Sequence, residues 1–510
     1  MRARKVPTHP ITERIAAKRQ GAARHYGAHP YFTRRPWNVV QAYIEHFTRE
    51  GDTVLDPFGG SGVTAIEALV LGRKAVHVDI NPLANFVTRQ IAKSPVSTAE
   101  LSDAFQGVKR ACDDKLCRWR EMPAAYFQRR RVPHWYPKGV PLPRNADVEC
   151  VEDLFTRKQL FALSLILHEI ETVEDKTCRD LLRFCFSGTL AKCNRTFISA
   201  RNRASSRGGA TIFSVYRYHV PKSPVELDPW QQFADRFDNL LRCKRETNAL
   251  IGGFYNEQTC RIVQGSAGDL KPVLPDASVD YVFTDPPYGG HIAYLDLSTM
   301  WNAWLRFAVT DSDKQNEAIE GGDLEHSRDH YLGLMRESIS EMSRVLKRNR
   351  WLSMVFEHKD GTLYSELLRA AEAAGLEYVN TVSQSATVIW SMHKKKNPLR
   401  VLSGELILNF RKCRKGSSVR AKEARGDASA ILLDVADAET QKRGGARTED
   451  IYNGVMVRLL DSGLVFQKPL LLKDVVDDLC HHGYYFDRAT GRWKKDGRAS
   501  DKVVQQDLFR

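Results

Sequence analysis

Apolar residues at Val39, Val40, Tyr43, Ile44 and Phe47 recur at helical spacing and predict an amphipathic helix over 36–49. Asp52–Asp56 then reads as a short buried strand that runs into Pro57-Phe58-Gly59-Gly60-Ser61-Gly62. A helix over 63–71 is stopped by Gly72, and Ala75–Asp79 forms the next strand. The order strand, glycine-rich turn, helix, strand is a βαβ unit. It requires a parallel sheet and a right-handed crossover.

The alternation lapses from 93 to 259 and resumes with a strand over Cys260–Gln264, ending in Gly265–Asp269. A strand over Val279–Phe283 leads into Thr284-Asp285-Pro286-Pro287-Tyr288. A helix over 330–346, a strand over 351–357 and a helix over 363–374 follow, and 376–385 and 402–410 read as an antiparallel pair of strands at the sheet edge. The fold class is therefore α/β, a Rossmann-like sheet with an antiparallel edge hairpin. Its catalytic domain is split into 29–92 and 260–412 by a large, mainly helical insertion at 93–259. Residues 1–28 read as a basic arm and 413–450, rich in charge, Ala, Gly and Ser, as a linker. Residues 451–510 read as a small winged-helix-like module with a hairpin around 484–493.

Composition narrows the class. At 510 residues the chain holds about three domains, or one with large insertions. No apolar run reaches the ~18 residues of a membrane span, and Met1–Gln20 lacks the apolar core of a secretory signal, so a cytoplasmic protein is expected. The ten cysteines are scattered without a CxxC pair, so no metal site is predicted. The net charge of +14 suits a polyanionic partner.

Glycines in the 57–62 turn let the backbone approach a ligand closely, and the helix that follows offers unpaired amide donors. Asp79 ends the next strand about 20 residues on, the usual distance for a carboxylate that binds a ribose diol. A tight turn without a ligand, or a dinucleotide fingerprint, would read much the same. Asp56, directly before Pro57-Phe58, favours S-adenosyl-L-methionine, whose methionine half carries an ammonium that NAD lacks there.

Asp285-Pro286-Pro287-Tyr288 follows a strand's carboxyl end, where open α/β sheets bind ligands. The prolines stiffen the turn and remove two amide donors, leaving carbonyls and the Asp285 carboxylate as acceptors for an exocyclic NH2 group. Tyr288 offers a face for a flat base. An aromatic amine gripped this way can turn its lone pair on an in-line methyl group without a strong general base. Asp269 offers an acceptor for the cofactor's adenine amino group; a solvated turn aspartate fits its position equally well.

With both motifs in view, the chain resembles the DNA amino-methyltransferases of the N6-adenine and N4-cytosine class. Val54–Thr64 is similar to that family's cofactor motif, which implies cofactor contacts from Asp56, Phe58, Gly60 and Gly62. His29-Pro30 and Arg35-Pro36 resemble the segment that precedes it, with Arg35 where the family usually has Lys; there the resemblance implies a contact from Arg35 to the methionine carboxylate. Asp285–Tyr288 matches the catalytic motif, and Asp rather than Ser at its first position favours adenine. The resemblance covers 29–92 and 260–412, and the insertion lies outside the family's commonest place for target recognition.

Two basic segments are candidates for nucleic-acid contact. Lys109–Arg144, with Arg129, Arg130 and Arg131, carries ten Lys or Arg against three acids, interleaved with Trp119, Tyr126, Phe127, Trp135 and Tyr136. Leu181–Val225, with Arg195, Arg201, Arg203 and Arg207, carries eight basic residues and no acid. An ordinary basic surface over a helical core is the plainer reading. Trp301 and Trp304 read as core.

The expected substrate is double-stranded DNA and the expected reaction methylation of adenine N6 on a flipped base, within modification or phage defence beside a restriction partner. Three rival readings stand. A tRNA guanosine-N2 methyltransferase shares the Asp285–Gly289 pattern, though no tRNA-binding domain is seen before residue 29. The others are a cytosine-N4 enzyme and a non-enzymatic nucleic-acid binder.

Overall fold

A computed structural model describes residues 9–18, 25–199, 208–290, 292–358, 360–384, 405–413, 422–423, 428–462, 464–465 and 472–495. Its central sheet has seven strands: β1 Thr53–Asp56, β2 Lys74–Asp79, β3 Cys260–Gln264, β4 Val279–Thr284, β5 Leu346–Phe356, β6 Leu376–Ser383 and β7 Leu406–Lys412. Their order across the sheet is β3-β2-β1-β4-β5-β7-β6. The first five are parallel, and β7 runs antiparallel between β5 and β6. In register, Asp56 faces His77, Asp79 faces Gln264, and Val54 faces Tyr281. The carboxyl ends of β3, β2, β1 and β4 therefore share one rim. Strand order reverses at β1, and that crevice is where open sheets bind ligands.

β4 is buried along its whole length because both faces of the sheet are covered. On one face, Val54, Tyr281 and Phe283 join a core with α1 Trp37–Phe47, α2 Val63–Val70 and α3 Pro82–Ala92. Phe47 of α1 lies against Tyr281 and Trp351, with ring centroids 5.1 and 5.0 Å away. The insertion extends the same core through α4 Thr98–Glu121, α5 Ala124–Gln128, α6 Arg157–Glu171, α7 Lys176–Leu190 and α8 Pro229–Leu250. Lys244 of α8 is buried and donates to the carbonyls of Gln90, Ile91 and Lys93 at 2.7, 3.0 and 2.8 Å, closing the carboxyl end of α3. α9 Tyr294–Leu305 follows the Asp285 loop, and Trp301 and Trp304 on it are buried.

On the opposite face, Leu55, Val76 and Val282 pack with α10 Arg328–Val345 and α11 Gly361–Ala373. The carboxyl-terminal segment joins this second core through α12 Ala428–Arg443, α13 Thr448–Asp461, α14 Leu472–His481 and the hairpin of β8 Tyr484–Asp487 with β9 Arg492–Lys495. The stretch expected to be a linker over 413–450 thus contains a helix. α12 is Ala-rich without Gly or Pro, which favours helix, and it buries Leu432, Val435 and Ala436. Tyr378 of β6 donates to Asp461 of α13 at 2.5 Å, so the segment is packed on the sheet edge. Residues 9–18 of the expected arm are likewise tied down. Asn380 donates to the Ile11 carbonyl at 2.9 Å and Asn38 to the Ala16 carbonyl at 2.9 Å.

Candidate active site

The rim carries a cleft of about 840 Å³, including its open mouth. One wall is the glycine turn from Pro57 to Ser61, and the other holds Asp285 and Pro287. The two walls are stitched together beneath: Asp56 accepts from the Thr64 hydroxyl at 2.7 Å on one oxygen, and from the Thr284 hydroxyl at 3.0 Å and the Phe58 amide at 3.2 Å on the other.

Gly60 and Gly62 adopt φ of 50° and 80°, a region that costs other residues strain. Gly62 caps α2 without a side-chain hydrogen bond, which leaves the first amides of that helix facing outward. Gly59 answers a different need. A Cβ there would collide with the buried His77 imidazole below the turn. Asp79 braces the turn from the side, accepting from the Gly60 amide at 2.7 Å and the Asn81 amide at 2.8 Å.

Burial sets the electrostatics of the cleft. It pushes the Asp56 carboxyl up to about 7 and the Asp79 carboxyl up to about 6, although the hydrogen bonds each accepts oppose the shift. Glu317 also lines the cleft and is pushed up to about 8 by burial, while accepting from the Leu295 amide at 2.9 Å. Three buried carboxylates in one cleft favour a ligand with positive charge and hydroxyl donors.

On the other wall the Asp285 carboxylate has both oxygens engaged. Tyr288 donates to one at 2.5 Å, and Arg35 donates to the other. Arg35 also pairs with Glu405 at the start of β7. Burial raises the Asp285 pKa despite Arg35, and raises that of Tyr288 well above the ordinary phenol range. The Tyr288 ring stands edge-on to Phe356, with the Arg35 guanidinium 5.8 Å from its centroid. Tyr288 and Pro286 do not line the cleft; Arg35, Asp56, Phe58, Gly60 and Asp79 do. From the 265–269 turn only Gly265, Ser266 and Ala267 reach it, and the Asp269 amide is turned back to the Ser266 carbonyl at 3.1 Å.

Lining residues that escaped the sequence reading include Tyr31, Arg34, Tyr294 and Glu317. Tyr31 lies over Gly60, and Tyr294 is hydrogen-bonded to Thr33 at 2.9 Å. Arg34 donates through one terminal nitrogen to the His29 carbonyl at 2.5 Å, and its Nε is buried without a partner. No carboxylate is among the groups that set its pKa, which burial lowers to about 10. The two neighbouring arginines therefore differ: Arg35 is neutralised by Asp285 and Glu405, whereas Arg34, also in the cleft lining, has no carboxylate partner among the described residues.

Of the basic candidates, Arg129, Arg130 and Arg131 are exposed just after α5. Arg195 donates to the Asp153 carbonyl at 2.9 Å, holding the insertion together. Arg201, Arg203 and Arg207 lie outside the described residues. Among the described residues no group of three metal-ligating side chains converges, and no helix is long and apolar enough to cross a membrane.

A profile described as DNA methylase matches residues 10–85, which include the glycine turn and Asp79. The type II methyltransferase M.MvaI of Kocuria varians is 27% identical over 276 residues, covering 51% of this chain and 52% of that one. M.MjaII of Methanocaldococcus jannaschii is 26% identical over 441 residues, covering 73% and 78%. M.BsoBI of Geobacillus stearothermophilus is 22% identical over 346 residues, covering 62% and 61%. The match thus spans about half the length of the first relative and about three fifths of the third. The chain is thus similar to DNA amino-methyltransferases, and its seven-stranded, mostly parallel sheet is Rossmann-like. S-adenosyl-L-methionine is the cofactor. The residues present fit it: buried carboxylates for its positive charge and ribose, and the orphaned Arg34 Nε for its carboxylate.

Proposed function

We propose that the chain methylates the exocyclic amino group of a base in DNA, adenine N6, after flipping that base from the duplex. The observation that carries this reading is the shared cleft: Asp285 and the 57–61 turn line one cavity and are bridged below by Thr284 and Asp56. A base stacked in a duplex cannot reach such a cavity, so extrusion is required, at a cost of a few kcal/mol.

When bound, the cofactor supplies an electrophilic methyl group. Asp79 takes the ribose hydroxyls, Asp56 lies toward the ammonium, and Arg34 takes the carboxylate, the role first given to Arg35. Arg35 instead guards Asp285. For the base to be held, one amino hydrogen displaces Arg35 or the Tyr288 hydroxyl from the Asp285 carboxylate, and the loop turns the Pro286 carbonyl, which lies outside the cleft lining, toward the second hydrogen. The cofactor would supply its methyl group to the amino nitrogen held by Asp285, and an Asp285 oxygen would take up the proton that the nitrogen loses. The raised pKa of that carboxyl suits it to receive the proton.

The test is labelled methyl transfer to duplex DNA and to tRNA, with digestion and mass spectrometry of the product base. N6-methyladenine in DNA is expected; N4-methylcytosine or label in tRNA would displace the reading. Asp285→Ala should lose at least 100-fold in rate, about the worth of one electrostatic donor or acceptor at a reacting centre. Its affinity for S-adenosylhomocysteine should be unchanged. Full activity in that variant would defeat the assigned role.

A further inference from the structure

We propose that the helical insertion carries a second nucleotide-binding pocket, distinct from the methyl-transfer cleft, which holds one unstacked base of the substrate strand with its phosphates on arginines. The proposal rests on the nucleic-acid reading above for the identity of that strand.

The pocket, about 800 Å³ with its open mouth, lies between the end of α4, α5 and α6 and shares no lining residue with the cleft. Its floor is apolar, from Leu116, Ala162 and Leu165. Its walls are aromatic: Trp119, Phe127, Phe161 and Tyr126, the last 39% exposed at the mouth. The Trp119 indole N–H is already satisfied by the Lys158 carbonyl at 2.6 Å, so the ring acts here as an apolar surface. Aromatic walls of this kind accept any nucleobase by its π-face.

The charge on the rim selects an anion. The lining contains Lys115, Arg118 and Arg130 and no carboxylate. Lys115 is engaged by Glu169 at 3.3 Å, but neither Arg118 nor Arg130 has an acidic partner among the described residues. The Arg130 guanidinium lies over the Tyr126 ring, 4.1 Å from its centroid, which holds a cation and an aromatic face together at the opening. A flat hydrophobic body with negative charge at one end matches this arrangement, and a nucleotide has that shape.

A second aromatic and arginine pair lies between the pocket and the carboxyl end of α9. Five residues past the lining residue Arg130, the chain reaches Trp135, 42% exposed, with the Arg306 guanidinium 3.9 Å from its ring centroid and Trp304 edge-on at 6.4 Å. Arg306 follows α9, whose first residue, Tyr294, lines the cleft. At 1.5 Å per residue the two ends of α9 are about 18 Å apart, close to five base steps of 3.4 Å. A strand bound in the cleft would thus meet the Trp135–Arg306 pair about five nucleotides away.

The test uses the full chain saturated with S-adenosylhomocysteine, so that nucleotides cannot occupy the cofactor side of the cleft. A fluorescent single-stranded 12-mer of thymidine carrying 4-thiothymidine is titrated by anisotropy and then photo-crosslinked. Tyr126→Ala and Arg118→Glu, both at exposed positions, should each weaken binding about tenfold, and crosslinks should map to 119–134. S-adenosylhomocysteine affinity serves as the check on folding and should not move. Unchanged binding in both variants, or crosslinks confined to other segments, overturns the pocket. Weakening by Arg118→Glu alone, with polyphosphate competing as well as the oligonucleotide does, reduces it to a plain anion site and also overturns it. Methyl transfer is scored separately, so an inactive enzyme that still crosslinks here refutes only the catalytic reading.

Discussion

Replacing Arg34 by Ala should cut S-adenosylhomocysteine affinity about 10- to 100-fold and leave 5′-methylthioadenosine affinity unchanged. The second ligand shares the adenosine and the sulfur but lacks the amino-acid end, so it reports neither the carboxylate contact assigned to Arg34 nor the ammonium contact assigned to Asp56. The size of the effect follows from the environment of the guanidinium. Its Nε is buried and unpartnered, and burial has already weakened its hold on its proton, with a pKa of about 10. A carboxylate arriving there makes charge-assisted hydrogen bonds without a competing acid, worth about 1.5–3 kcal/mol. At about 1.4 kcal/mol per decade this is one to two powers of ten. Arg35→Ala is the contrasting variant, because its charge is spent on Asp285 and Glu405. It should alter turnover while sparing the discrimination between the two ligands. Isothermal titration of both variants with both ligands gives a complete cycle. Equal losses for the two ligands in Arg34→Ala would mean a structural role only. No loss for either would mean that the carboxylate is held elsewhere, and the assignment would be wrong.

Further outcomes are expected from the same geometry. Because burial raises Asp56 to about 7 and Asp79 to about 6, and the ligand's ammonium and ribose hydroxyls favour their ionised forms, S-adenosylhomocysteine affinity should rise with pH between 5.5 and 8; titration across that range should show it, and a flat profile would refute it. Without ligand those raised values have the opposite consequence: they cost stability as pH rises, so Asp56→Asn should gain in Tm over the parent more at pH 8 than at pH 5.5. Gly59→Ala should drive a methyl group into His77 and cost about 1–3 kcal/mol in urea unfolding, and the double change with His77→Ala should recover part of that loss. Lys244→Met should destabilise by about 2–4 kcal/mol, since it orphans three buried carbonyls at the end of α3.

The chemistry-bearing loops were legible because each follows a short apolar strand and carries residues with few conformational options. Gly60, Gly62, Pro286 and Pro287 restrict the backbone so strongly that their spacing signals a turn. Arg34 and Arg35 show where legibility stopped. Adjacent in an irregular segment, they point to different partners, and only the positions of Asp285 and Glu405, about 250 and 370 residues later, separate them. Glu317 and Tyr294 fall in stretches without period or motif and become part of the cleft through long-range packing. The order of β6 and β7 depends on pairing between strands, which their own patterns do not encode. α12 carried a readable signal, since Leu432, Val435 and Ala436 recur at helical spacing, but its charge and alanine content obscured it.

The Asp56 carboxylate takes hydroxyl protons from both Thr64, behind the glycine turn, and Thr284, just before the Asp285 loop. A shared acceptor of this kind makes the two halves of the cleft thermodynamically reciprocal: by whatever factor an occupied glycine side tightens the grip on a base, the base must tighten the grip on the glycine side. A factor above one would let such a protein release spent cofactor readily off its target; a factor of one would make the two sides independent.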